Sequence, residues 1–134
     1  MLKRRLNIIA LLRGKESFFL FGPRGSGKSS LVSSAFEKFK TPILKLDLLH
    51  SDTSRRYLLH PELLRKEVSE SCRQKPRDFL RVFIDEVQKI PALLDEVHWL
   101  IENYPGRVQF ILTGSSARKL KRAGVNLLAG RAST

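Results

Sequence analysis

Eight residues near the start of the chain, Gly22-Pro23-Arg24-Gly25-Ser26-Gly27-Lys28-Ser29, follow the spacing G-x-x-x-x-G-K-[ST] in full. Glycines at that spacing let a backbone curl around anionic oxygens with no Cβ in the way. The exposed N–H groups of such a loop, and of a helix that starts at its end, point at phosphates. In that arrangement Lys28 would reach the β- and γ-phosphates of a nucleoside triphosphate, and the Ser29 hydroxyl would ligate Mg²⁺. The expected nucleotide contacts are Gly22, Pro23, Arg24, Gly25, Ser26, Gly27, Lys28, Ser29 and Ser30, with Arg24 at a variable, solvent-facing place in the loop.

A second group is acidic. Val82-Phe83-Ile84 runs into Asp85-Glu86, and an acid at the carboxyl end of an apolar strand lies at the edge where open α/β sheets bind ligands. Asp85 is placed to hold Mg²⁺ opposite Ser29 through its water shell. Glu86 is the candidate to act on the attacking water, as a general base or as an orienting group. The third group is Phe110-Ile111-Leu112-Thr113-Gly114-Ser115-Ser116. Here Thr113 or Ser115 would touch the γ-phosphate or the water, or else hydrogen-bond within the strand-end turn.

The elements that must position these groups alternate. Ser17 to Phe21 reads as a buried strand ended by Gly22-Pro23. Leu31, Val32, Ala35, Phe36 and Phe39 recur at helical spacing up to Thr41-Pro42, and Ile43 to Leu48 reads as a second strand. A polar stretch, Ser51 to Arg56, leads to Pro61 and a helix with Leu64, Val68 and Cys72 on its inner stripe. Phe79 to Asp85 is a third strand, and Pro91 opens a helix carrying Leu93, Leu94, Val97, Leu100, Ile101 and, packed beside them, Trp99. Val108 to Thr113 is a fourth strand. This order implies βαβ crossovers, so the expected fold is α/β, three layers with a parallel sheet between helices.

Residues 1–15 open with three basic residues and an apolar run, but the run contains Asn7 and has no small-x-small cleavage site after it. Leu2, Leu6 and Ile9 fit a surface helix better than a targeting segment. The nucleotide-binding units are expected over 16–113, followed by a basic, glycine-punctuated segment over 114–134 with a short helix at Ser116 to Arg122.

The 134 residues suffice for one domain with its own core. The single cysteine, Cys72, excludes an internal disulfide or a cysteine-based zinc site and suits a reducing cytoplasm. No apolar run reaches the roughly 20 residues of a membrane span. His50, His60 and His98 have no ligand spacing.

Twenty-five Lys and Arg against thirteen Asp and Glu leave +12, of which the first forty residues carry +7. Such a charge attracts phosphates of any origin. It sustains an alternative reading, a basic nucleic-acid-binding module whose nucleotide site is a switch. A small-molecule phosphotransferase is disfavoured: there is no Arg-rich lid, and Asp85-Glu86 suits water better than an alcohol acceptor.

Four blocks in order, Phe21 to Ser29, Phe83-Ile84-Asp85-Glu86-Val87-Gln88-Lys89-Ile90-Pro91, Leu112 to Arg118 and Leu128-Ala129-Gly130-Arg131-Ala132, resemble the bacterial and archaeal AAA-type ATPases whose ATPase domain precedes a C-terminal domain of unknown function. The resemblance covers nearly the whole chain. It implies ATP and Mg²⁺ as ligands, Lys28, Ser29, Asp85 and Glu86 as the residues that handle them, and Thr113 to Ser115 as the sensor strand end. It also implies hydrolysis of ATP and homo-oligomers in full-length members. Arg118, Arg122 and Arg131, by their place after the fourth strand, are candidates to act on a neighbouring subunit's nucleotide, the simpler reading of each being a solvated basic segment. Family members continue past the Ala-Gly-Arg-Ala segment, so the chain is expected to represent the N-terminal ATPase part, without a fifth core strand or second sensor.

Overall fold

The computed structural model describes residues 2–22, 27–39 and 43–115, with backbone only for residues 2–7, 28 and 29. Helix α1 (Leu2–Arg13) leads to β1 (Phe18–Phe21), and α2 (Lys28–Phe36) to β2 (Ile43–Asp47). Two helices follow, α3 (Ser51–Leu59) and α4 (Glu62–Gln74), then β3 (Leu80–Asp85), a 3₁₀ turn at Val87–Lys89, α5 (Leu93–Asn103) and β4 (Val108–Gly114). All strand pairs are parallel and the order is β1-β4-β3-β2. The expected α/β architecture with a parallel sheet between helices is present.

The apolar strands explain the layering. Every residue of β3 and β4 is buried, as a central parallel strand with both faces covered requires. Their side chains alternate between two cores. Leu80, Val82 and Ile84 with Val108, Phe110 and Leu112 join Phe19, Leu46, Tyr57, Leu64, Val68, Leu94 and Val97 on the side covered by α3, α4 and α5. Phe83 and Ile111 join Phe18, Ile8, Ile9, Leu12, Val32, Ala35 and Phe36 on the side covered by α1 and α2. There the Phe36 and Phe83 rings meet edge to face at 5.9 Å.

Residues Ser51 to Arg56, read from sequence as a polar stretch, belong to a helix. The His50 carbonyl accepts the Ser54 amide at 2.9 Å and Asp52 complements the first turn. Because Tyr57 is the one residue α3 buries, its polar composition hides a helix that docks through a single ring. On the N-terminal helix, Ile8, Ile9 and Leu12 form the described inner stripe. Trp99 is 39% exposed, against the Arg65 guanidinium at 5.5 Å and the edge of Tyr104 at 6.3 Å, rather than inside the α5 stripe.

Two buried polar residues hold α1 to the sheet. Arg81 donates from Nε to Gln109 Oε1 at 2.9 Å and from Nη2 to the Leu12 carbonyl at 3.1 Å. Gln109 Nε2 donates to the carbonyls of Leu11 and Glu16, at 3.1 and 2.9 Å. The Leu11 and Leu12 carbonyls close the end of α1, where the Lys15 amide also donates to Leu12 at 3.2 Å, and the two strand side chains add donors to them and to Glu16 just beyond the helix. Arg81 also lies over the rings of Phe39 and Phe79, at 4.3 and 5.1 Å, and burial holds its pKa below the ordinary arginine value.

Candidate nucleotide site

Strand register brings the sequence groups to one edge. Leu20 pairs with Thr113 and Phe21 with Gly114, while Ile84 pairs with Leu112, so β1, β4 and β3 end side by side. Alternation then sets the faces. Counting by twos from Phe83 and Ile111, Asp85 and Thr113 project on the side that α1 and α2 cover. Helix α2 begins at Lys28, directly after the glycine-rich segment, and so its N-terminus lies on the same side as the acidic strand end.

The start of α2 depends on Gly27. Its φ of 83° and ψ of 14° are left-handed, which a residue with a side chain adopts only under strain. A Cβ there would meet no atom within 4 Å, so the requirement is conformational rather than spatial. The Gly27 carbonyl accepts the Leu31 amide at 2.9 Å, closing the first turn. At the other end of the loop the Gly22 amide donates to the Gly114 carbonyl at 3.2 Å, extending the β1–β4 pairing to the loop's first residue.

The acidic pair is tightly organised. Asp85 and Glu86 are 8% and 2% exposed, and Thr113 is fully buried between them. The Thr113 hydroxyl donates to Asp85 Oδ1 at 2.5 Å and accepts the Glu86 amide at 2.9 Å. Of the readings offered for Thr113, the geometry realises a strand-end hydrogen bond, made across strands. Glu86 has φ 60° and ψ 52°, a left-handed conformation that costs a non-glycine residue about 1–2 kcal/mol. This turn carries the chain from β3 into the 3₁₀ turn and swings the Glu86 carboxylate toward β4. There Glu86 Oε2 accepts the Ser115 amide at 3.1 Å and the Gln88 side-chain amide at 2.5 Å. Gln88 Nε2 also donates to Ser115 Oγ at 3.2 Å.

Thus Asp85, Glu86, Thr113 and Ser115 form one hydrogen-bonded cluster. Gly22 and Gly27 flank it through β1 and α2, and Ser30 is exposed on the first turn of α2. Pro23, Arg24, Gly25 and Ser26 lie outside the described residues, as do Arg118, Arg122, Arg131 and the helix expected at Ser116 to Arg122. Gln88 escaped the reading of single residues, although it stands two places after the acidic pair. Arg81 escaped it too, its one signal being a cation inside an apolar strand. Among the described residues no group of three or more His, Cys, Asp or Glu converges as a metal cluster, and no helix is long and apolar enough to cross a membrane.

Comparison with known families places the chain. A family model described as an AAA domain matches residues 14–134. The chain belongs to the AAA domain family. It is therefore a P-loop ATPase-type nucleotide-binding domain, of a family that generally binds ATP with Mg²⁺. Among solved structures, PCH-2 of C. elegans has the same fold, with a TM-score of 0.65 and 20% identity over 93% of this chain. The chain spans 40% of the length of that PCH-2 chain. No curated protein sequence matches.

Proposed function

We propose that this AAA domain binds ATP·Mg²⁺ across Gly22–Ser30 and Asp85 and hydrolyses the γ-phosphate with water. The observation that carries the reading is the Asp85–Thr113–Glu86 cluster, buried at the strand ends on the side where Gly27 starts α2. The donor chemistry fits the implied ion: a carboxylate on Asp85 and a hydroxyl on Ser29 are hard oxygen ligands of the kind Mg²⁺ takes. When bound, Mg²⁺ neutralises charge on the phosphate oxygens.

In this mechanism the loop amides and Lys28 hold the β- and γ-phosphates. Asp85 would hold the ion through its water shell, and Glu86 would orient the attacking water and take up its proton. Thr113 acts through both acids: its hydroxyl fixes one Asp85 oxygen and the Glu86 amide, and so sets the angle between the two carboxylates. The nucleotide-binding units run over 16–113, with α1 as an accessory helix over 1–15 and a basic segment over 114–134. The parent protein is of the bacterial or archaeal type that carries a further C-terminal domain and works in the cytoplasm.

Titration calorimetry with ATP·Mg²⁺ and a phosphate-release assay test the reading together. Lys28→Ala is expected to abolish binding, and Glu86→Gln to reduce turnover to a slow residual rate while binding persists. If Lys28→Ala binds ATP as tightly as the parent chain, the assignment of the loop is wrong.

A further inference from the structure

We infer that Gln88 is a positioning residue for Glu86, a role that rests on the hydrolytic reading above. The Gln88 side chain bridges two elements. From the 3₁₀ turn its Nε2 donates both to Glu86 Oε2, at 2.5 Å, and to Ser115 Oγ just past β4, at 3.2 Å. The amide orientation follows from charge, since turning the group over would set its carbonyl against the Glu86 carboxylate. With the Ser115 amide, the same carboxylate oxygen is gripped by two donors from two directions. Glu86 is one rotatable side chain on a left-handed backbone, and two donors on one oxygen fix where its carboxylate faces.

The second observation concerns what this grip does for the fold. The carbonyl oxygen of Gln88, Oε1, is buried and has no hydrogen-bond partner among the described residues. A buried acceptor without a partner loses its hydration and gains nothing in return, so the side chain is a poor contributor to stability. A half-buried glutamine kept in that state is explained by what its other end does, and that end touches the carboxylate proposed to handle the attacking water. Gln88 is thereby separated from Thr113, whose hydroxyl is satisfied in both directions and supports the fold as well as the site.

The test compares the parent chain with Gln88→Met, which keeps length and removes both polar atoms, and Gln88→Ala. Single-turnover release of the γ-phosphate, ATP·Mg²⁺ affinity by calorimetry and thermal melting are read for each, alone and combined with Glu86→Gln. Both variants are expected to melt within about 2 °C of the parent, because the two bonds lost, to Glu86 and Ser115, are offset by removal of the unpartnered carbonyl. Affinity is expected to hold within about threefold, while the hydrolysis rate falls about 10- to 100-fold, the range for a misplaced catalytic group. In the Glu86→Gln background, removing Gln88 is expected to cause no further loss. An unchanged or faster rate in both single variants overturns the role, as does weakened ATP binding that accounts for the loss. An equal loss with and without Glu86 overturns it too, since Gln88 would then act elsewhere. A parent chain that binds ATP but never releases phosphate overturns the hydrolytic reading itself, and this role with it.

Discussion

Thr113→Val is the substitution that most directly probes how the acidic pair is held. Valine matches threonine in shape and keeps the branched Cβ that suits a central strand, so packing in the fully buried site is retained. What disappears is one hydroxyl with two duties: its proton lies on Asp85 Oδ1 at 2.5 Å and its lone pair takes the Glu86 amide at 2.9 Å. Both partners are buried, so each must go without that bond. Leaving a buried group without its partner costs about 1–3 kcal/mol, at the upper end for a carboxylate, and the pair together gives about 2–5 kcal/mol. That is a large part of the roughly 5–15 kcal/mol by which a domain is stable. At about 3–5 °C per kcal/mol for a chain of this size, the melting temperature should fall by about 6–25 °C. Thr113→Ser keeps the hydroxyl and loses one methyl group, so about 1 kcal/mol is expected. Circular dichroism melting of the three chains without nucleotide decides the matter. A valine variant that melts within about 2 °C of the parent but has lost turnover refutes the reasoning. It would mean that the Thr113 hydroxyl serves the γ-phosphate or the water directly and adds nothing to the resting fold.

Three further outcomes follow from other parts of the molecule. Arg81→Met should cost about 2–4 kcal/mol in urea unfolding and speed hydrogen exchange at the end of α1, because the Leu12 carbonyl and the Gln109 amide oxygen lose a charged donor; unchanged exchange there would show that α1 is held by its apolar stripe alone. Gly27→Ala should destabilise by about 1 kcal/mol from left-handed strain with no clash behind it, and a neutral or stabilising result would contradict the φ of 83°. Tyr57 is raised above its ordinary pKa of 10.0 by burial first and by the Glu67 carboxylate that accepts its hydroxyl second. The folded state therefore favours the neutral phenol, and that contribution is complete below about pH 10 and declines as the pH rises toward the folded value. The stability difference between the parent chain and Tyr57→Phe, read from urea midpoints, should be constant up to about pH 10 and shrink above it, and parallel curves would remove the argument.

The sheet was legible in the sequence for a physical reason: its strands depend on local signals. Leu80 to Asp85 and Val108 to Gly114 are apolar because central parallel strands have no solvent face, and Phe18 and Phe19 of β1 are apolar because they fill the two cores; Gly27 reflects the left-handed backbone that starts α2. Helix α3 was opaque because its burial is confined to Tyr57, which leaves no apolar stripe for periodicity to detect. Trp99, read as packing beside the apolar stripe of α5, stands partly exposed there against the Arg65 guanidinium, a contact across helices that no local pattern shows. Within the site, Asp85 and Thr113 could be placed at strand ends, but their mutual hydrogen bond depends on β3 lying beside β4, which is tertiary information. Gln88 was hidden for the same reason, because its partner Ser115 is 27 residues away.

The face of the sheet under α1 and α2 carries polar side chains at both ends, and their partners tell the two ends apart. Arg81 and Gln109 stand at the start of β3 and β4; Asp85 and Thr113 stand four residues on, which in a strand returns to the same face about 13 Å away. Phe83 and Ile111 fill the interval. At the starting end the donors of Arg81 and Gln109 meet carbonyls of the α1 end and of Glu16, groups that a helix terminus must satisfy somehow. That chemistry is closed, and it binds a helix. At the finishing end two adjacent acids are buried together, and hydroxyl and amide donors from Thr113, Gln88 and Ser115 are recruited to keep them there. Adjacent buried carboxylates repel each other and resist desolvation, so a fold selected for stability alone would not assemble them. On the function proposed above, a cation held there with its phosphates would relieve that repulsion and stabilise the folded chain by mass action, turning an electrostatic liability into binding energy for a ligand.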